Sequence, residues 1–264
     1  MSAIDALFHQ LRNDHRRALI SFVTAGDPDI STSGLVLKAA IEAGADLVEI
    51  GIPYSDPIAD GPVIQASYQR ALDSGFRLHD AMTLGRELAA HGPPRVTMVS
   101  YSIIHRIGPA NFVAMAQASG YSGAIVPDLL VEESEAFLKI CQEADFSLIQ
   151  LVTPTTPRER QKRIAANSTG FLYYVSVTGI TGERTKLPAD LTDSVSWLRE
   201  QTELPICIGF GISNTEIAAQ LAPVADGLIV GSAIVRRIAE ATPDTAPQVV
   251  GQFVADLRRA IDHA

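Results

Sequence analysis

The sequence predicts an α/β fold, a single (β/α)8 barrel spanning residues 1–264, and three observations carry that expectation. Short apolar, β-branched runs alternate with longer helical patterns from one end to the other. Strands that alternate with helices form parallel βαβ units. Eight such runs occur in 264 residues, more than an open sheet of this size usually carries and close to the length of about 250 that is typical of a closed barrel.

The runs are ALISFV from Ala18, DLVEI from Asp46, VTMVS from Val96, GAIV from Gly123, SLIQLV from Ser147, FLYYVS from Phe171, ICIG from Ile206 and GLIVG from Gly227. Ahead of the first lies SAIDALFHQLRND, an amphipathic, acid-containing stretch that predicts an extra N-terminal helix rather than a signal peptide. Extra helices are also expected after strand 2, in VIQASYQRALDSG, and after strand 8, in AIVRRIAEA. Asp27-Pro28, Thr156-Pro157 and Ser213-Asn214 each offer a helix cap or first-turn residue. Phe137, Cys141 and Ala144 fall on one helical face, with Glu132, Glu135 and Lys139 elsewhere. Two connections exceed what a βα turn requires, residues 51–62 and 177–190. Each follows a strand and so belongs to the C-terminal face, where barrel enzymes place their chemistry; the second reads as a lid that orders on binding. No repeat, low-complexity tract or linker divides the chain.

Hydrophobic residues make up 47% and charged residues 19%, enough for one large core. No apolar run reaches the ~18 residues a membrane span needs. Cys141 and Cys207 sit in a helical and a strand segment, as expected for buried thiols in a reduced cytoplasmic protein. A net charge of −9 argues against a nucleic-acid surface. A phosphorylated small substrate stays possible, because backbone N–H groups can hold a phosphate.

Glu49 is the most informative position. Alternation puts Leu47 and Glu49 on one face of strand 2 and Val48 and Ile50 on the other. A carboxylate on a buried strand is costly unless paired or used, and desolvation would raise its pKa toward the range useful for proton transfer. A structural glutamate bonded across the barrel stays open on position alone. Asp60, in ADGP, reads either as a site residue or as a turn or cap aspartate, and Asp56 in SDP has the stronger claim to a turn. Gly209-Phe210-Gly211 after strand 7 and Gly231-Ser232 after strand 8 fit a phosphate site at a helix N-terminus, although glycines also simply end strands. The six histidines form no metal-ligand pair, and Lys38, Lys139, Lys162 and Lys186 lie away from strand ends. A zinc aldolase and a Schiff-base lysine are therefore disfavoured. Carboxylate acid–base chemistry on a phosphorylated substrate remains, with aromatic lining from Phe22, Tyr101, Tyr173 and Phe210.

The chain resembles the tryptophan synthase α-subunit family through FVTAGDPD from Phe22, LVEIGIPYSDPIADGPVIQ from Leu47, IVPDLLVEES from Ile125, LVTPTTPRER from Leu151, YYVSVTGITGER from Tyr173, GFGIS from Gly209 and IVGSAIV from Ile229. The resemblance implies a TIM barrel that cleaves indole-3-glycerol phosphate to indole and glyceraldehyde 3-phosphate by a retro-aldol reaction, without metal or cofactor of its own. It makes Glu49, Asp60 and Tyr173 the catalytic set. Substrate contacts fall on Phe22, Tyr101, Thr181, Gly182, Phe210, Gly211, Gly231 and Ser232. It further implies a pyridoxal-phosphate β-subunit partner in an α2β2 heterotetramer, faced by Pro53, Asp56 and Ser102. A stand-alone lyase releasing free indole would carry the same site residues. The chain departs from the common family pattern at Ser102-Ile103, where many members have Asn-Pro, and at Leu130, where many have proline.

Overall fold

In the computed structural model, residues 2–58, 60–89, 92–175, 189–209 and 211–264 are described, those at 189 and 190 by their backbone alone. Among them nine parallel strands form a nearly closed barrel surrounded by helices. The first four strands are β1 (Ala18–Thr24), β2 (Leu47–Gly51), β3 (Arg95–Met98) and β4 (Gly123–Ile125). The ring continues through β5 (Ser147–Ile149), β6 (Leu151–Val152), β7 (Leu172–Val175), β8 (Ile206–Gly209) and β9 (Gly227–Val230). Their order is β5-β4-β3-β2-β1-β9-β8-β7-β6.

The (β/α)8 barrel read from the sequence stands, and the count is nine because the fifth run is divided in two at Gln150. SLIQLV was expected as one strand, yet its first half pairs with β4 and its second with β7. At the step, the Gln150 side chain turns to the loops instead, donating to Asn167 O at 2.6 Å and to Ser134 Oγ at 3.1 Å. The side-chain alternation nevertheless runs straight through. Ile149 and Leu151 pack in the barrel interior, while Leu148 and Val152 join the outer core. The Gln150 carbonyl also accepts from Tyr173 N at 3.1 Å, so the ends of the sheet meet at this one residue.

Helices α1 (Ala3–Asn13), α2 (Ile30–Glu42), α3 (Pro62–Asp73), α4 (Leu78–Leu88), α5 (Tyr101–Ile107) and α6 (Pro109–Ala118) belong to the first half. The second half carries α7 (Glu135–Glu143), α8 (Arg158–Ala166), α9 (Ala189–Arg199), α10 (Thr215–Leu221), α11 (Ser232–Glu240) and α12 (Ala246–Asp262). The extra helices expected at the N-terminus and after strands 2 and 8 are α1, α3 and α11. A further short helix, α5, was not anticipated. Ser100 caps it by accepting from Ser102 N, and Gly108-Pro109 separates it from α6. The cap of α2 is Asp29, two residues beyond Asp27-Pro28. Asp27 instead follows the strand into a cis peptide and pairs with Arg70 of α3 at 2.8 and 2.7 Å. Asn214 does cap α10, accepting from Ile217 N, whereas Pro157 starts α8 without a side-chain cap.

Two packing layers follow from strand alternation. Ala18, Ile20, Leu47, Val96, Ile125, Ile149, Phe171, Cys207 and Ile229 fill the interior; Val48, Ile50, Ala124 and Leu228 face the helices. Helix α1 lies across the N-terminal end and inserts Ile4, Phe8 and Leu11 into the interior cluster. Phe8 meets Phe171 with ring centroids 5.7 Å apart, sealing that end. The opposite, C-terminal end carries the candidate site.

Candidate active site

Glu49 occupies the third position of β2, in register with Phe22 of β1 and Val96 of β3. It is 1% exposed, and its Oε2 is buried with no hydrogen-bond partner among the described residues. The structural alternative, a glutamate tied down across the barrel, therefore lacks the bond it requires at that oxygen. Burial first, and the neighbouring Asp60 carboxylate second, push its pKa up to about 8. The group is thus a neutral acid around pH 7 that can both give and take a proton.

Asp60 stands at the end of the β2–α3 connection, just before α3. Its backbone is held as a turn, with the N–H donating to Pro57 O and the carbonyl accepting from Gln65 Nε2 at 2.7 Å. The side chain is not used up by this turn. Its Oδ2 accepts from the Tyr54 hydroxyl at 3.5 Å. Burial pushes its pKa up to about 6; the Tyr54 hydrogen bond opposes that rise, and Asp128 adds to it. Two carboxyl groups in one desolvated mouth separate their protonation states, one acid and one base.

Tyr173 of β7 lies in register with Cys207 of β8, and burial together with the charges of Glu49 and Asp60 holds its phenol well above the usual range. Gly209 makes room for it, since a Cβ there would stand 2.5 Å from the Tyr173 hydroxyl. Gly51 does the same for Phe22, whose ring would meet a Cβ at 2.6 Å. Phe22 packs with Ile64 and Tyr68 of α3 and Val235 of α11 in an apolar cluster beside the carboxylates. Tyr101 packs against Phe137, with centroids 6.1 Å apart, and against the outer core, and its N–H donates to Asp128 at 2.7 Å.

Gly211 follows β8 with φ +85°, a left-handed conformation that favours glycine, and nothing stands near its Cβ direction. Gly231 is the N-cap of α11 and makes no side-chain cap bond; Ser232 is the first helical residue. Backbone N–H groups at such a terminus are unsatisfied within the helix. Thr181, Gly182 and Phe210 lie outside the described residues. Asp56 and Ser102 are exposed and Pro53 is buried. After β2 and β4, at the same end of the barrel, lie two large apolar side chains that the sequence reading did not assign to a surface role, Ile58 at 91% exposure and Leu130 at 54%. It also passed over Tyr54, Tyr68 and Asp128. The only signal for these was their place in PYSDP, in an ordinary helical pattern and in IVPDLL. Among the described residues no group of three or more His, Cys, Asp or Glu could hold a metal ion.

A parallel barrel with desolvated carboxyl groups at its C-terminal mouth is the architecture of a barrel enzyme. Residues 8–261 match the family model described as tryptophan synthase alpha chain. The chain belongs to the tryptophan synthase alpha chain family, lyases that cleave indole-3-glycerol phosphate in tryptophan biosynthesis. It is 63% identical to the tryptophan synthase alpha chain of Rhodopirellula baltica, with 100% of both chains covered. It is 45% identical to that of Synechocystis, over 99% of this chain and 100% of the other. The solved alpha subunit from Legionella pneumophila superposes with a TM-score of 0.92 at 33% identity, covering 100% of both chains. A tryptophan synthase chain from M. tuberculosis, in an aminoacrylate-bound form, gives 0.89 at 29%, over 99% of this chain and 100% of that one.

Proposed function

We propose that Glu49 is the acid–base of the cleavage and Asp60 its electrostatic partner, and one observation carries this reading. Glu49 is buried beside a second carboxylate, its Oε2 has no hydrogen-bond partner among the described residues, and burial pushes its pKa up to about 8. Glu49 gives its proton to C3 of the indole ring, which leaves the positive charge on the ring nitrogen. Asp60 accepts the hydrogen bond of that N–H and stabilises the charge. The Glu49 carboxylate then removes the proton of the adjoining side-chain hydroxyl. The carbon–carbon bond breaks, its electron pair restores the indole ring, an aldehyde forms and Glu49 ends protonated as it began. The ring is its own electron sink, so this chain needs no cofactor; pyridoxal phosphate belongs to the partner.

Tyr173 and Phe22 border the indole, with Phe210 completing the pocket and Tyr101 standing at its rim. Gly211, Gly231 and Ser232, with Gly182 of the long connection, supply N–H groups and a hydroxyl for the phosphate, and Thr181 helps close the site. Pro53, Asp56 and Ser102 mark the face toward the β subunit. Exposed Ile58 and Leu130 support a partner there, because a stand-alone lyase would leave both in water. The assembly is an α2β2 heterotetramer in the cytoplasm, and residues 1–264 form one domain in it, supported by the single continuous sheet. Glu49→Gln should lower indole formation by about 10³-fold or more while substrate affinity holds within a few-fold. Near-normal turnover would make Glu49 structural.

A further inference from the structure

Asp60 is held by more than its own loop. The Tyr54 hydroxyl donates to it, and the Tyr54 ring packs on Tyr68 of α3 with centroids 5.6 Å apart. Tyr68 is 1% exposed, and its hydroxyl is buried without a hydrogen-bond partner among the described residues. Such a group calls for an explanation, since buried hydroxyls are normally bonded. The hydroxyl approaches Gly51, where a Cβ would stand 3.1 Å away, two residues along β2 from Glu49. Among the charges acting on it, Asp60 is the strongest, followed by Tyr54 and Glu49. The scaffold fixes this placement. Arg70 clamps α3 to Asp27, and Ser67 bonds Thr24 of β1 at 2.7 Å.

We propose that Tyr54 and Tyr68 are positioning residues for Asp60, Tyr54 by donating to its carboxylate and Tyr68 by bracing the Tyr54 ring and holding a second hydroxyl beside the same carboxylate. Phenol donors favour the ionised form of a carboxyl group, the form that accepts a hydrogen bond from a substrate N–H. The inference rests on the role assigned to Asp60 above. Among the described residues, the titratable groups around this carboxylate are Glu49 from β2, Tyr54 from its own loop, Tyr68 from α3, Asp128 after β4 and Tyr173 from β7. Among the described residues no cation contributes to its shift, so the Tyr54 phenol is what opposes burial there.

The test compares Tyr54→Phe and Tyr68→Phe, each removing one oxygen, in the full-length chain with Asp60 intact and in the Asp60→Asn background. With Asp60 present, Tyr54→Phe should lower kcat/KM about tenfold and move the acid limb of its pH profile upward, with a smaller effect for Tyr68→Phe. In the Asp60→Asn background each should change kcat/KM less than about twofold. Equal losses in both backgrounds, or an unmoved acid limb, would overturn the inference while leaving the role of Asp60 intact. An Asp60→Asn enzyme with undiminished turnover would remove the premise itself.

Discussion

At Glu49, burial and a neighbouring negative charge act in the same direction, while at Asp60 a phenol works against burial. Their protonation therefore separates, and the proposed mechanism needs Glu49 protonated and Asp60 ionised. The expected kcat/KM profile rises through about pH 6 and falls through about pH 8. Asp60→Asn removes the acid limb. It also shifts the basic limb downward, because Glu49 then loses the charge that helped to raise it, and turnover drops about 10²–10³-fold. A basic limb that stays in place would rule out electrostatic contact between the two groups. Stability responds as well. The folded value of Glu49, about 8, lies above its ordinary 4.5, so the folded chain keeps a proton that the unfolded chain has lost between them. That contribution is fully present below the unfolded value and is lost as pH rises through the folded one. Above pH 8 the uncharged Glu49→Gln should therefore outlast the parent in urea by up to about 5 kcal/mol, the gap narrowing toward pH 5.

Gln150 shows what one polar residue does within a strand element. It stands at an outward position among apolar neighbours, and its amide satisfies the Asn167 carbonyl and the buried Ser134 hydroxyl. Gln150→Leu, close in size and unable to donate, should cost about 1–3 kcal/mol in urea unfolding; no change would mean that these bonds are replaced by water. This element also marks the boundary of what could be read in advance. Strand positions were legible because a two-residue alternation and β-branched runs depend only on neighbours in sequence. The partners of the Gln150 amide, Ser134 and Asn167, lie 16 and 17 residues away in sequence. The shift of the α2 cap from Asp27 to Asp29 has a similar origin, since Arg70 claims Asp27 from another helix. Glu49 could be singled out because a charge on an apolar strand stands out. Tyr68 could not, because a tyrosine within VIQASYQRAL looks like ordinary helix core.

On the scale of the whole molecule, carboxylates, aromatic cluster and open helix terminus share one end of the barrel with the exposed Ile58 and Leu130. Ile58→Asp should weaken association with the β subunit by at least tenfold in a titration, while cleavage by the chain alone changes less than about threefold. Unaltered affinity would place the partner elsewhere, and turnover unaffected by saturating β subunit would favour a stand-alone lyase. The far end has a different consequence. With Ile4, Phe8 and Leu11 of α1 driven into the interior and Phe8 set against Phe171, the barrel is a cup with a solid base. With the proposed site at the opposite mouth, substrate and both products share the same rim. On that reading, anything that covers the rim governs entry and exit together.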